Sequence, residues 1–367
     1  MKKRLFSLLL VSALVFTLSG CGEKSLLRES DPVTLNFWHV YGEQSGSPMD
    51  LLVQEFNRTV GQEKGVRVQV TNLSSASKIG GFLKEAQKGG RDAPEMPDLF
   101  TCHISDATAL DSDNLVDWNA RFTAEELSNF VPGFLADGMT EDGTLLLFPI
   151  SKSTQLLMCN GSGFARSLAQ GHVVVSDLYS NTQVMTGDVL SGLGSSAAIL
   201  YYNDTVTYRD GTQEPMDLHV LPMPKTAGAD ALMTQAGVGL CAYKTTDQKA
   251  EAAALFVRWL TESERNLDFV AQTGYMPVRN GAFDAIENYD KFPEPTESYR
   301  QLYAALKIMQ ESYTPLSEPR FEGYYGKVSQ LYDGLRQMQQ ELPARAAAGE
   351  SIDALAEETW ALLCAIH

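Results

Sequence analysis

The sequence predicts an open α/β protein, on three observations. Strand-like and helical stretches alternate over residues 33–101, the grammar of βαβ units on a largely parallel sheet. Several amphipathic helical patterns fill the last third of the chain. The 367 residues are 44% apolar and 20% charged, which is enough to build two or three domain-sized cores.

The elements follow in order. Residues 33–38 (VTLNFW) are β-branched and aromatic, and they stop at a polar, glycine-containing loop over 39–48. Residues 49–59 place Leu52, Val53 and Phe56 on one helical face. Residues 66–71 (VRVQVT) alternate as a second strand, 79–88 read as a helix, and 97–101 (PDLFT) begin a third strand. Ligands of such a sheet gather beyond the carboxyl ends of its strands, here after Trp38, near 72–77 and near 101–105. A fourth apolar run, 144–150, passes through Pro149 into 151–158, and 160–172 then turns small and polar. Residues 188–202 set a Gly-Ser-Ser turn ahead of an expected apolar helix. Residues 218–224 (LHVLPMP) read as a short strand closed by prolines, and 237–242 as a buried one. Helices are expected over 249–260, with Ala253, Phe256, Val257 and Leu260 on one face, and over 263–272, 299–311, 326–342 and 351–366.

The formal charge is −17, which argues against a nucleic-acid groove and against docking on anionic lipid through a basic face. Only one long apolar run exists, at the N-terminus, so a multispan membrane protein is excluded. There, Lys2, Lys3 and Arg4 precede an apolar stretch over 5–18, the pattern of a secretory signal. It ends in LSGC, which resembles the bacterial lipobox. That resemblance implies cleavage after residue 20 and diacylation of Cys21, with firm anchoring by two or three acyl chains. Residues 21–32 form a polar tether.

Cys102, Cys159, Cys241 and Cys364 are far apart with no CxxC pair, and their pairing is not legible from spacing. His39, His103, His172, His219 and His367 show no HxH or HExxH grouping. No metal site and no cofactor is expected.

A set of segments then carries a resemblance: the lipobox, LNFWHVYGEQ, the helix ending in EFN, MPDLF, FPISKSTQLL, GSSAAILYY, LPMPK, the run from MTQAGVGLCAYKTTDQKAEAAALFVRWLTESERNLDFVAQTGYMPVR, and SEPRFEGYYGKV. In this order, over about 1–342, they resemble the family 1 extracellular solute-binding proteins of ABC importers, of the sugar and glycerol-3-phosphate binding type. The resemblance implies a two-lobed, periplasmic-binding-protein-like fold (type II) that closes on solute by hinge motion. It implies a first lobe over 33–148 plus 236–274 and a second over 149–235 plus 275–367. It also implies no enzymatic activity, an extracytoplasmic location, and permease subunits as partners. The solute expected is a sugar, an oligosaccharide or a glycerol phosphate, with the acidic chain favouring a neutral saccharide. Relatives are longer after the segment matching SKSTQLLMCN, so the second lobe is expected to be reduced and incomplete near 161–172, with impaired or absent closure as the alternative. A glycoside hydrolase would need two carboxylates flanking the bond, and no such paired setting is legible.

Candidate solute contacts follow. Trp38 and Tyr41 end the first strand, where an aromatic platform would sit, and Glu43 offers an acceptor for hydroxyl protons. By resemblance, Ser151, Ser153 and Thr154 lie on the first hinge strand, and Gly194, Ser195 and Ser196 form a turn presenting backbone N–H groups at a helix start. Gly274 and Tyr275 match the last crossing between lobes. Arg320 matches a position where phosphate-binding relatives use arginine, its alternative being an ion pair with Glu318 or Glu322.

Overall fold

In VTLNFWH, alternation buries Val33, Leu35, Phe37 and His39 on one side and leaves Thr34 in solvent; the computed structural model makes this segment strand β1 (Val33–His39). The structure describes residues 25–42, 46–73, 76–160, 179–225, 228, 230–321 and 324–350. Ser47 accepts from the Asp50 amide and Pro48 occupies the first turn, which starts helix α1 (Pro48–Arg58). Strand β2 (Val66–Asn72) returns parallel to β1, in register from Val33–Val66 to His39–Asn72. Helix α2 (Ala76–Lys88) leads to the wholly buried β3 (Leu99–Cys102), parallel on the other side of β1 with Trp38 opposite Phe100. The predicted strand–helix order is present.

A short helix α3 (Pro132–Asp137) precedes the passage into a second sheet. Strand β4 (Gln155–Asn160) is its centre, flanked antiparallel by β5 (Ser191–Ser195) and β6 (Leu218–Leu221), with helix α4 (Ser180–Met185) ahead of β5. The chain then returns through β7 (Leu232–Gln235) to β8 (Gly239–Ala242), which pairs antiparallel with β3 and completes a first sheet ordered β8-β3-β1-β2. Isolated bridges stitch the crossings: Phe148 with Leu240, Ser153 with Ala236, and Lys152 with Met276.

Helices α5 (Asp247–Leu260) and α6 (Ser263–Thr273) follow. The α5 face predicted from spacing is the buried one, and Phe256 meets Phe37 and Phe56 edge-on at centroid distances of 5.8 and 5.1 Å. Helix α7 (Thr296–Ser312) packs on β6. Strand β9 (Thr314–Ser317) runs parallel to β7, and α8 (Tyr324–Ala347) ends the described chain.

The segment expected as a turn and an apolar helix differs. Residues 191–195 are β5, and 196–201 form a 3₁₀ helix. Pairing with β4 overrides the loop-like composition, because Gly192 leaves room for the Ser180 side chain, whose hydroxyl donates to the Leu193 carbonyl at 3.1 Å. The expected helix at 351–366, the joint at 161–171, the signal and Cys21 lie outside the described residues.

Candidate functional site

The carboxyl end of β1 is braced by its own histidine. His39 is fully buried, with Nε2 2.9 Å from Asp50 Oδ1, while the Tyr41 amide donates to Nδ1 at 3.1 Å. These partners select the Nε2–H tautomer. Burial holds the imidazole pKa below its usual 6.5, with the Asp50 carboxylate opposing.

The brace delivers Tyr41 to the crossing strands. Its hydroxyl lies 3.0 Å from Ser151 Oγ, and its ring meets Phe269 and Tyr275 edge-on at 5.1 and 6.0 Å. Burial and then the neighbouring Tyr275 push its pKa up, while the Ser151 bond works the other way. Tyr275 is half-buried beside it, its own pKa raised by burial and then by Tyr201. It follows Gly274, the left-handed C-cap of α6 at φ +68°. A Cβ on Gly274 would stand 2.7 Å from Ile199 and 2.9 Å from the Ser196 carbonyl, so this glycine seats the 3₁₀ helix of the second sheet. Tyr41, Ser151, Gly274, Tyr275 and the 196–199 turn are thus brought together where the chain passes between sheets.

Residues 164–294 match the family model described as bacterial extracellular solute-binding protein. In structure, the chain is similar to the cyclic α-maltosyl-1,6-maltose binding protein of Arthrobacter globiformis, at 14% identity and a TM-score of 0.62, over 92% of this chain and 99% of that one. It is also similar to UgpB of Mycobacterium tuberculosis in complex with glycerophosphocholine, at 15% identity and a TM-score of 0.62, over 91% and 99%. A third likeness is to the sugar-binding protein MalE of Xanthomonas citri, at 12% identity and a TM-score of 0.60, over 89% and 95%. This is the two-lobed fold of the extracellular solute-binding proteins. No curated protein matches the chain by sequence. Since the likenesses take in 95–99% of those solved chains, they do not confirm a missing block in this solute-binding fold.

Other expected site residues of the solute-binding fold sit differently. Trp38 projects from β1 opposite to Phe37, meets Phe82 edge-on at 6.3 Å and packs on the small core that includes Ile79 and Leu83; it is not beside Tyr41. Glu43 lies outside the described residues. Ser153 is buried and exchanges both backbone hydrogen bonds with Ala236 at 3.0 Å. Gly194 is not in a turn: it pairs with Leu156 in the sheet. Ser195 Oγ caps the 3₁₀ helix by accepting from the Ala197 amide at 3.3 Å, and the Ser196 amide donates to the Thr154 carbonyl at 2.8 Å. That amide is therefore already used within the chain, which corrects the expectation that the turn offers it to solute.

Arg320 is committed as well. Its Nη1 donates to the Met139 carbonyl and its Nη2 to those of Ala136 and Asp137, at 3.3 and 2.9 Å for the latter two. It grips the C-terminal end of α3, where cations are favoured by the unpaired carbonyls. The same end holds a group that sequence reasoning missed: Lys152, 1% exposed on the crossing strand, donates Nζ–H to Asp137 Oδ2. A lysine inside the apolar run FPISKST was the available signal; its partner, set by tertiary packing, was not legible.

Proposed function

We propose that the protein is the solute-capturing component of an ABC importer, held outside the cell membrane through diacylated Cys21, and that it takes a neutral carbohydrate-type solute between lobes 33–148 plus 236–274 and 149–235 plus 275–367. The observation that carries this reading is the junction of Tyr41, Ser151 and Tyr275, where two aromatic rings and the Ser151 hydroxyl meet at the crossing strands. Gly274, the residue before Tyr275, borders it. The engaged Arg320 guanidinium and the charge of −17 favour a neutral solute over a phosphorylated one. The family model over 164–294 supports the carrier role, with permease subunits as partners.

A thermal-shift series tests it, using maltooligosaccharides against glycerophosphodiesters. Saturation at 100 times Kd adds about 2.7 kcal/mol of stability. A shift with saccharides and no turnover of chromogenic glycosides is expected. A shift with glycerophosphodiesters alone overturns the neutral solute, and no shift with either class overturns the saccharide reading.

A further inference from the structure

Three oxygens near the crossing are buried without any hydrogen-bond partner: Thr154 Oγ1, Ser196 Oγ and Gln235 Oε1. Their residues are 1%, 0% and 3% exposed. Register places them in one row. The antiparallel pairing of Gln155 with Ser195 sets Thr154 beside Ser196, and the pairing of Ser153 with Ala236 sets Thr154 beside Gln235. Directly opposed residues project to the same face with Cβ atoms about 4.5–5.5 Å apart. Ser153, the pair-mate of Ala236, belongs to the opposite face by alternation. Helix α3 lies over the Gln235 end of the row: a Cβ on Gly133 would stand 3.7 Å from Gln235 Oε1.

We propose that Thr154, Ser196 and Gln235 together hold one buried water molecule between the crossing strands and α3. The three neighbours make no direct bond to one another, so a bridging group is what would satisfy them. Thr154 O–H donates to the water, and the water donates to Gln235 Oε1 and Ser196 Oγ. That gives it three bonds, the usual number for a buried water, and gives each of the three orphaned oxygens a partner. Leaving them unsatisfied would be costly. A solute cannot be the occupant, because the row is shut from solvent and faces α3 rather than the Tyr41–Ser151 junction. Thr154 and Ser196 thus move from solute contact to hydration of the crossing, whichever solute the protein takes.

The test pairs a crystal structure of the whole chain, at a resolution that places waters, with the isosteric variant Thr154→Val. The expected map shows a peak within about 3 Å of all three oxygens. The two readings give Thr154→Val opposite signs. If the hydroxyl anchors a water, the variant strands that water's other partners and Tm falls by about 2–4 °C. If the hydroxyl is dry, removing it relieves an orphan and Tm rises or stays. A map without the peak, or a Tm that does not fall, overturns the proposal. Should the variant fail to fold, the map of the unaltered chain decides.

Discussion

Tyr41 and Trp38 stand at the end of the same strand, and both have the chemistry of a sugar platform. Alternation and the turn at His39 send them apart: Trp38 packs toward Phe82, whereas Tyr41 is drawn inward to Ser151. The sequence shows which residue types are present but not the turn, because the brace that makes it joins His39 to Asp50 across the loop. Tyr41→Phe and Ser151→Ala should each lower stability by about 1 kcal/mol, and the double variant should cost little more than either single. Additive losses in denaturant unfolding would show that the two hydroxyls do not share a bond. His39 gives a pH dependence whose sign is fixed by its lowered pKa. The unfolded chain binds a proton at about 6.5 and the folded chain only at lower pH, so stability present above 6.5 is lost as pH falls below it. His39→Gln should flatten that part of the curve, and an unchanged slope between pH 6.5 and 5 would refute it.

At the scale of elements, α3 is too short to stand on local propensity, and its C-terminal end is held from outside. Asp137 receives buried Lys152 on its carboxylate and Arg320 on its carbonyl. Lys152→Met alone leaves Asp137 without its partner and should destabilise by about 3–5 kcal/mol, while adding Asp137→Leu should recover most of the loss. A double variant as unstable as the single would show that the pair does more than compensate its own burial. Arg320→Lys should lower Tm, since one ammonium cannot reach three carbonyls, yet leave saccharide affinity nearly unchanged. A large loss of affinity in calorimetry would put the guanidinium at the solute. Gly274→Ala, at φ +68° and with Ile199 and Ser196 in the way, should destabilise by more than about 1 kcal/mol in the same unfolding assay.

For the whole molecule, the anchoring reading predicts that Cys21→Ala moves the protein from the membrane to the soluble fraction, and a membrane-bound variant would contradict it. Three strands of the first sheet, β1 to β3, were legible in outline because they and their helices are consecutive, with periods of 2.0 and 3.6 written locally, whereas the pairing of β8 with β3 was not. The second sheet was less so. Strand β5 is glycine-rich and takes its conformation from pairing with β4, while β9 is exposed at every position and exists through β7. Neither has a core face to leave a pattern.

Local chemistry determined the α/β order over 33–101 and the buried face of α5, while the two-lobed fold and the crossing segments at 151–154 and 274–275 came from the sequence only as a resemblance. What only the tertiary structure decided is which of those residues share a site. It made Tyr41 a buried partner of Ser151, engaged Arg320 on α3, hid Lys152 against Asp137, and lined up Thr154, Ser196 and Gln235. The physical reason is that periodicity records which side of an element faces a core, whereas hydrogen bonds between residues distant in the chain depend on how the elements are placed.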